Sequence, residues 1–239
     1  MALPRVYNWD KTLRGLKEFD ALLPGVLPNL VLVGGGACWF YREALRQAAD
    51  TDFRVPPATP EQEAVWLSKD IDFMGVTPEE AAEILRVPLN ADTHTIQFHG
   101  LEIDFVDAGL HLTQDNCLLH ARSVKTPEVS FSVVDASPLY SEKCALVLVK
   151  DRPQDRLHRE LLEQFLNYDF CHSAENPSTL TPKRWISRAR IVKTADHNFF
   201  TRDTRLRARL GQAIARLSAP EHSLLKHWAK HHLPGAPAE

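Results

Sequence analysis

Apolar residues at Leu13, Leu16, Phe19, Leu22 and Leu23 recur at intervals of three and four, which predicts an amphipathic helix over residues 12–23. Prolines at 24 and 28 end it. The run Leu30-Val31-Leu32-Val33 suits a buried strand and stops at three consecutive glycines, Gly34, Gly35 and Gly36. Residues 37–49 lack Gly and Pro and predict a helix, whereas residues 50–60 hold three prolines and predict a loop. Ile71 and Phe73 alternate with Asp70 and Asp72, the period of a short strand. Thr77-Pro78-Glu79-Glu80 combines an N-cap, a first-turn proline and first-turn acids, so a helix runs from there to about residue 86. Two alternating runs, 93–98 and 101–106, meet at His99-Gly100 as a hairpin, and 118–124 with 129–134 predicts another strand pair. From Ser137 onward the period changes to that of helices, at 138–149, 154–166, 182–195, 202–217 and 220–232. The fold class is α+β, with an N-terminal domain over 1–136 and a helical C-terminal domain over 137–239.

Charge sharpens that division. The 239 residues carry a net charge of −3, but residues 1–135 hold 11 Lys and Arg against 20 Asp and Glu, and residues 136–239 hold 17 against 11. With 44% hydrophobic and 25% charged residues, the composition is that of a globular chain and excludes disordered, fibrous and membrane-spanning classes. Four scattered cysteines, Cys38, Cys117, Cys144 and Cys171, form no C-x-x-C pair; they suit buried, reduced thiols in a cytoplasmic protein. No apolar run reaches membrane-spanning length, and residues 1–10 lack the pattern of a secretory signal. The tail over 234–239 is expected to fray.

Three features of the acidic half carry chemistry. Gly34-Gly35-Gly36 between a strand and a helix offers backbone N–H groups to an anion at the positive end of a helix, although such a turn serves tight packing as often. It matches neither the dinucleotide fingerprint nor the P-loop. Asp70 and Asp72 share one strand face, where two like charges are costly unless a cation lies between them. Mg²⁺, which favours one or two carboxylates plus substrate phosphates, suits the pair; a solvated edge strand is the alternative. Asp104 repeats the pattern between Ile103 and Phe105, with Glu102 on its face and Asp107 at the strand's end as an alternative third carboxylate.

In this order the three features resemble the catalytic core of DNA polymerase beta-type nucleotidyltransferases, more closely the minimal bacterial branch that includes AbiEii-like toxins. The residues concerned are Val31-Leu-Val-Gly34-Gly35-Gly36-Ala37, Lys69-Asp70-Ile-Asp72-Phe and Ile103-Asp104-Phe; Ser141-Glu-Lys143-Cys-Ala-Leu146 with Arg152 and Asp155 is similar to the family's lysine-bearing helix and the segment after it. The likeness spans roughly residues 28–166. Gly36 stands where many members have Ser, Thr or Gln, and Cys38 where Leu is common. The resemblance implies a nucleotidyltransferase-like mixed sheet with flanking helices. It also implies two Mg²⁺ ions, replaceable by Mn²⁺, held by Asp70, Asp72 and Asp104, with an NTP such as ATP cradled by Gly34, Gly35 and Gly36 and contacted by Lys143. Lys69 points to the opposite strand face and is left out. The implied activity is transfer of an NMP to an acceptor hydroxyl, on tRNA, another nucleic acid, a small molecule or a protein. A toxin role with an antitoxin partner is implied too; a noncatalytic nucleotide-binding module on the same fold is the contrasting reading.

The basic half predicts an acceptor platform. Lys183, Arg184, Arg188, Arg190 and Lys193 follow helical spacing, and Arg202, Arg205, Arg207 and Arg209 lie on a second helix, which suits phosphate contacts or an ordinary solvated face. His227 and His231, with His222 and His232 nearby, read as surface residues rather than metal ligands, since no acidic or cysteine partner accompanies them.

Overall fold

The computed structural model describes residues 9–22, 30–48, 50–57, 59, 70–98, 101–127, 129–176, 178, 181–218 and 220–233. The hairpin turn at His99-Gly100, Lys69 and the tail over 234–239 lie outside the described residues.

Seven strands form one mixed sheet: β1 (Val31–Leu32), β2 (Ile71–Met74), β3 (Leu89–Asn90), β4 (Thr95–Phe98), β5 (Leu101–Phe105), β6 (Ala121–Lys125) and β7 (Ser130–Val134), in the order β3-β4-β5-β2-β1-β7-β6. Central β1 pairs antiparallel with β2 and parallel with β7, while β2 runs parallel to β5. β4–β5 and β6–β7 are antiparallel, as their alternating patterns predict.

The helices in the strand-bearing half are α1 (Trp9–Leu22), α2 (Gly34–Ala48), α3 (Pro78–Leu85) and α4 (Gln114–Leu119). Phe19 of α1 lies edge-on to Phe98 and tilted over Phe73, so α1 covers the apolar face of β2 and β4. α3 has both halves of a capping box: the Thr77 hydroxyl accepts from the Glu80 N–H and the Glu80 carboxylate accepts from the Thr77 N–H. α4 occupies residues that alternation had extended into a strand from 118. Thr113 caps it, and its Leu118 and Leu119 are exposed, so the apolar pattern there did not report burial.

The change from strands to helices falls at Asp135, between β7 and α5 (Ala136–Val149). α6 (Pro153–Glu175) runs nine residues past its predicted end, because Phe170, Cys171 and Ala174 continue its buried stripe. α7 (Pro182–Ala195) has its predicted bounds. The helix predicted over 202–217 is α9 (Thr204–Ala215), preceded by a short helix with no counterpart in the sequence reading, α8 (Phe199–Arg202); Asp203 lies between them, and its carboxylate accepts from the N–H groups of Arg205 and Leu206. A 3₁₀ turn, Pro220–His222, precedes α10 (Ser223–His232).

One hydrophobic cluster runs from Leu16 to Leu233 and crosses the strand-to-helix change. Tyr41 of α2 shows how: its ring centroid lies 4.5 Å from that of Phe165 on α6, and its hydroxyl donates to the Val134 carbonyl at the end of β7. No helix among the described residues is long and apolar enough to cross a membrane.

Candidate metal centre

The parallel pairing of β2 with β5 puts Asp72 directly beside Asp104, and Ile71 beside Ile103. Side chains alternate along each strand, so the isoleucines enter the core while the aspartates stand on the other face. Asp70 precedes Asp72 by two and joins them. One carboxylate oxygen from each of Asp70, Asp72 and Asp104 lies within 4.8 Å of the others. Asp107 is exposed beyond the end of β5 and stands outside this group, so Asp104 is the third carboxylate.

The glycine turn is built around Asp72. Gly34 has φ +57, a conformation that disfavours any side chain, and a Cβ there would stand 1.8 Å from Asp72 Oδ2. The Gly35 N–H donates to the same oxygen over 3.3 Å. α2 begins at Gly34 rather than after the glycines, so its first turn opens beside a carboxylate, a favourable place for negative charge. Gly36 does a different job: a Cβ there would come within 3.0 Å of Leu32 Cδ1, so this glycine lets α2 sit close on β1.

Nothing within the trio neutralises its charge. Burial, with Asp70 and Asp104 beside it, holds the Asp72 carboxyl up at about 7, although the Lys143 charge and the Gly35 N–H pull the other way. Burial and then Asp70 raise Asp104 as well. Three hard oxygen donors held together against their own repulsion fit a hard divalent cation such as Mg²⁺ or Mn²⁺.

Lys143 is buried rather than on a helix surface. Its Nζ donates to Asp155 Oδ1 over 2.8 Å, and Arg152 Nε donates to Asp155 Oδ2 over 2.7 Å. Asp155 thus anchors Lys143 within electrostatic range of both Asp72 and Cys38. His158, one turn further along α6, is buried in the same region, and burial with the Lys143 charge pushes its imidazole down to about 3. Glu142, adjacent to Lys143, accepts from the backbone N–H groups of Leu110, His111 and Leu112 at 3.0, 2.6 and 3.0 Å. One turn of α5 therefore holds both the loop that follows β5 and the lysine. Glu142 had no signal in the sequence, since its partners are main-chain groups that no residue type announces.

Much of the predicted basic platform is tied up in ion pairs with the protein's own carboxylates. Arg188 is buried; with Arg122 it brackets Asp135 and Asp169 at 2.6–3.0 Å. Burial alone would raise the Asp135 carboxyl, but the Arg188 and Arg122 charges outweigh it and hold it below the ordinary range. Arg202 pairs with Glu163 and Asp196, and Arg209 with Asp50, Asp52 and Glu175. Lys193 Nζ lies 2.7 Å from His232 Nδ1. Lys183, Arg184, Arg190 and Arg205 are exposed, and Arg207 is half-buried. His227 and His231 are exposed on α10, whereas His222 is buried.

No protein-family model and no curated protein matches this chain.

Proposed function

We propose that the protein is a divalent-metal-dependent nucleotidyltransferase that moves an NMP from an NTP to an acceptor hydroxyl. The observation that carries this reading is the convergence of Asp70, Asp72 and Asp104 beside the glycine turn. The resemblance of the same residues to the nucleotidyltransferase core supports it.

In this reading Asp70, Asp72 and Asp104 hold the metal. Bound there, a divalent cation supplies charge neutralisation and Lewis acidity to the phosphate oxygens. The acceptor oxygen bonds to the α-phosphorus, the bond from that phosphorus to the bridging oxygen of the β-phosphate breaks, and pyrophosphate leaves with the electron pair. Asp104, on the strand beside Asp72, is placed to take the proton of the acceptor hydroxyl. The first turn of α2 places N–H donors and the positive end of a helix on the triphosphate side. Lys143, fixed by Asp155, adds a cation there for the departing charge. Gly34 keeps the space that lets Asp72 stand against the backbone.

A noncatalytic nucleotide-binding module on the same fold is the contrasting reading, and binding of NTP without transfer would favour it. Incubation with each α-labelled NTP, Mg²⁺ and candidate acceptors tests the reading. Transfer by the wild type is expected, with its loss in Asp70→Ala and in Asp72→Ala. An undiminished rate in either variant refutes the metal assignment. A toxin role adds a second expectation: induced expression arrests growth with the wild type and not with Asp72→Ala.

A further inference from the structure

The loop between β5 and α4 closes on a carboxylate. Ala108 bridges to Thr113, and the Gly109 N–H donates to the Leu112 carbonyl over 2.7 Å, which draws the segment into a tight turn. Inside it the successive N–H groups of Leu110, His111 and Leu112 all donate to Glu142 of α5, at 3.0, 2.6 and 3.0 Å. Consecutive amides aimed at one anion form a nest, and hydrogen bonds to an ionised acceptor are the stronger kind. Gly109 makes the seat possible: a Cβ there would stand 2.7 Å from the Glu142 Cδ and from both of its carboxylate oxygens. Glu142 is buried, and no cation pairs with it among the described residues, so main-chain amides alone satisfy its carboxylate. Asp135, also buried, takes two arginines instead.

Glu142 makes no hydrogen bond to the aspartate trio, yet it joins two parts of the centre. Toward β5, the Val106 N–H donates to the Phe73 carbonyl over 2.8 Å, two residues after Asp104. Only Asp107, Ala108 and Gly109 separate that sheet bond from the clamped amides. Toward α6, the next residue of α5 is Lys143, whose Nζ donates to Asp155 and whose charge reaches Asp72. Successive helical residues project about 100° apart, so one turn of α5 presents a carboxylate to the β5 loop and a lysine to the metal side. Asp135 fixes the first turn of the helix through the Ser137 N–H. Glu142 fixes the later turn, the one that carries Lys143. Ser141 strengthens that attachment, its Oγ lying 2.8 Å from His111 Nδ1.

We propose that Glu142 is a positioning residue: seated in the amide nest of residues 110–112, it sets Lys143 in register with Asp104 for the transfer step. This rests on the nucleotidyltransferase reading and adds to it a residue that meets neither substrate nor metal. The pairing of β2 with β5 brings Asp72 and Asp104 together, so metal binding does not depend on the nest. What depends on it is the placement of the lysine against the leaving pyrophosphate, where a displacement of about 1 Å can cost about 100-fold in rate. Loss of Glu142 therefore lowers kcat far more than it weakens Mn²⁺ affinity.

Chemical rescue tests this on the full chain, with α-labelled NTP and the acceptor that the wild type labels. Sodium formate is added, and sodium chloride at equal ionic strength is the control. Glu142→Ala is expected to lower kcat about tenfold or more, while Mn²⁺ affinity, read by titration, stays within about twofold. Formate, a carboxylate small enough for the vacated nest, should restore much of the lost kcat, and chloride none. Glu142→Gln should fall as far and resist rescue, because its carboxamide fills the nest and turns N–H groups toward N–H groups. Gly109→Ala, whose methyl displaces the carboxylate, should lower kcat too, and adding it to Glu142→Ala should cost little more. An unchanged kcat in folded Glu142→Ala, or equal effects of formate and chloride, overturns the proposal. Where that variant does not fold, an unchanged kcat in Gly109→Ala overturns it. A wild type that binds no Mn²⁺ or labels no acceptor counts instead against the nucleotidyltransferase reading itself.

Discussion

Two groups of carboxylates, one on β2 and one at the end of β7, lie on either side of β1 and have opposite fates. Asp72 on β2 is surrounded by Asp70 and Asp104, and burial with that repulsion raises its proton affinity. Asp135, at the end of β7, is bracketed by Arg122 and Arg188, which share Asp169 with it, and its proton affinity falls. Both are aspartates at the edge of an apolar core, Asp135 fully buried and Asp72 half-buried, so residue type does not separate them. The partners do. A carboxylate with matched cations and hydrogen bonds holds elements together; here Asp135 also caps α5 through the Ser137 N–H. A carboxylate with like-charged neighbours is poised for a cation from outside.

The largest test of this contrast is Asp135→Ala. It leaves Arg188 and Arg122 to share Asp169 alone and removes the cap of α5, and is expected to lower unfolding free energy by about 3–5 kcal/mol in urea denaturation. Asp72→Asn should act in the opposite direction. In the metal-free protein at pH 8 it relieves repulsion, and a gain of about 1–2 kcal/mol is expected after allowance for solvent screening. A loss in that variant would mean that the trio is not strained without metal.

The two variants should also differ in their dependence on pH. The proton affinity of Asp72 is higher in the folded state. Its favourable contribution is therefore fully present below the unfolded value of 3.8 and is lost as pH rises through about 7. The advantage of Asp72→Asn over wild type should accordingly grow between about pH 4 and 7 and level off above. Asp135 is depressed, so its contribution is present above 3.8 and is lost as pH falls below that. The deficit of Asp135→Ala should shrink in acid. His158, held neutral down to about 3 against an ordinary 6.5, makes the wild type lose stability as pH drops below 6.5. Urea midpoints across pH 3–9 read all three.

The smallest expected effect on stability separates two glycines. Gly34→Ala places a methyl in a left-handed conformation against Asp72 and should cost about 1–2 kcal/mol. It should also weaken Mn²⁺ binding, followed by titration. Gly36→Ala presses on Leu32 alone, so it should change stability and leave Mn²⁺ affinity as it was.

The sequence determined whatever depends on neighbours along the chain. The strand face shared by Asp70 and Asp72, the box from Thr77 to Glu80, the antiparallel pairs and the change of period near residue 136 follow from side-chain alternation, capping and helical spacing. The tertiary structure decided which of these local features meet. Asp104 joins Asp72 only because β2 and β5 run parallel in one register, a pairing between strands some thirty residues apart that no local pattern encodes. Arg188 reads as part of a basic surface and Lys143, by resemblance, as a contact to the NTP; packing of α5, α6 and α7 makes them buried partners of Asp135 and Asp155. Charge is legible residue by residue, but its neutralisation is a property of distance, and distance is set only when the chain closes on itself.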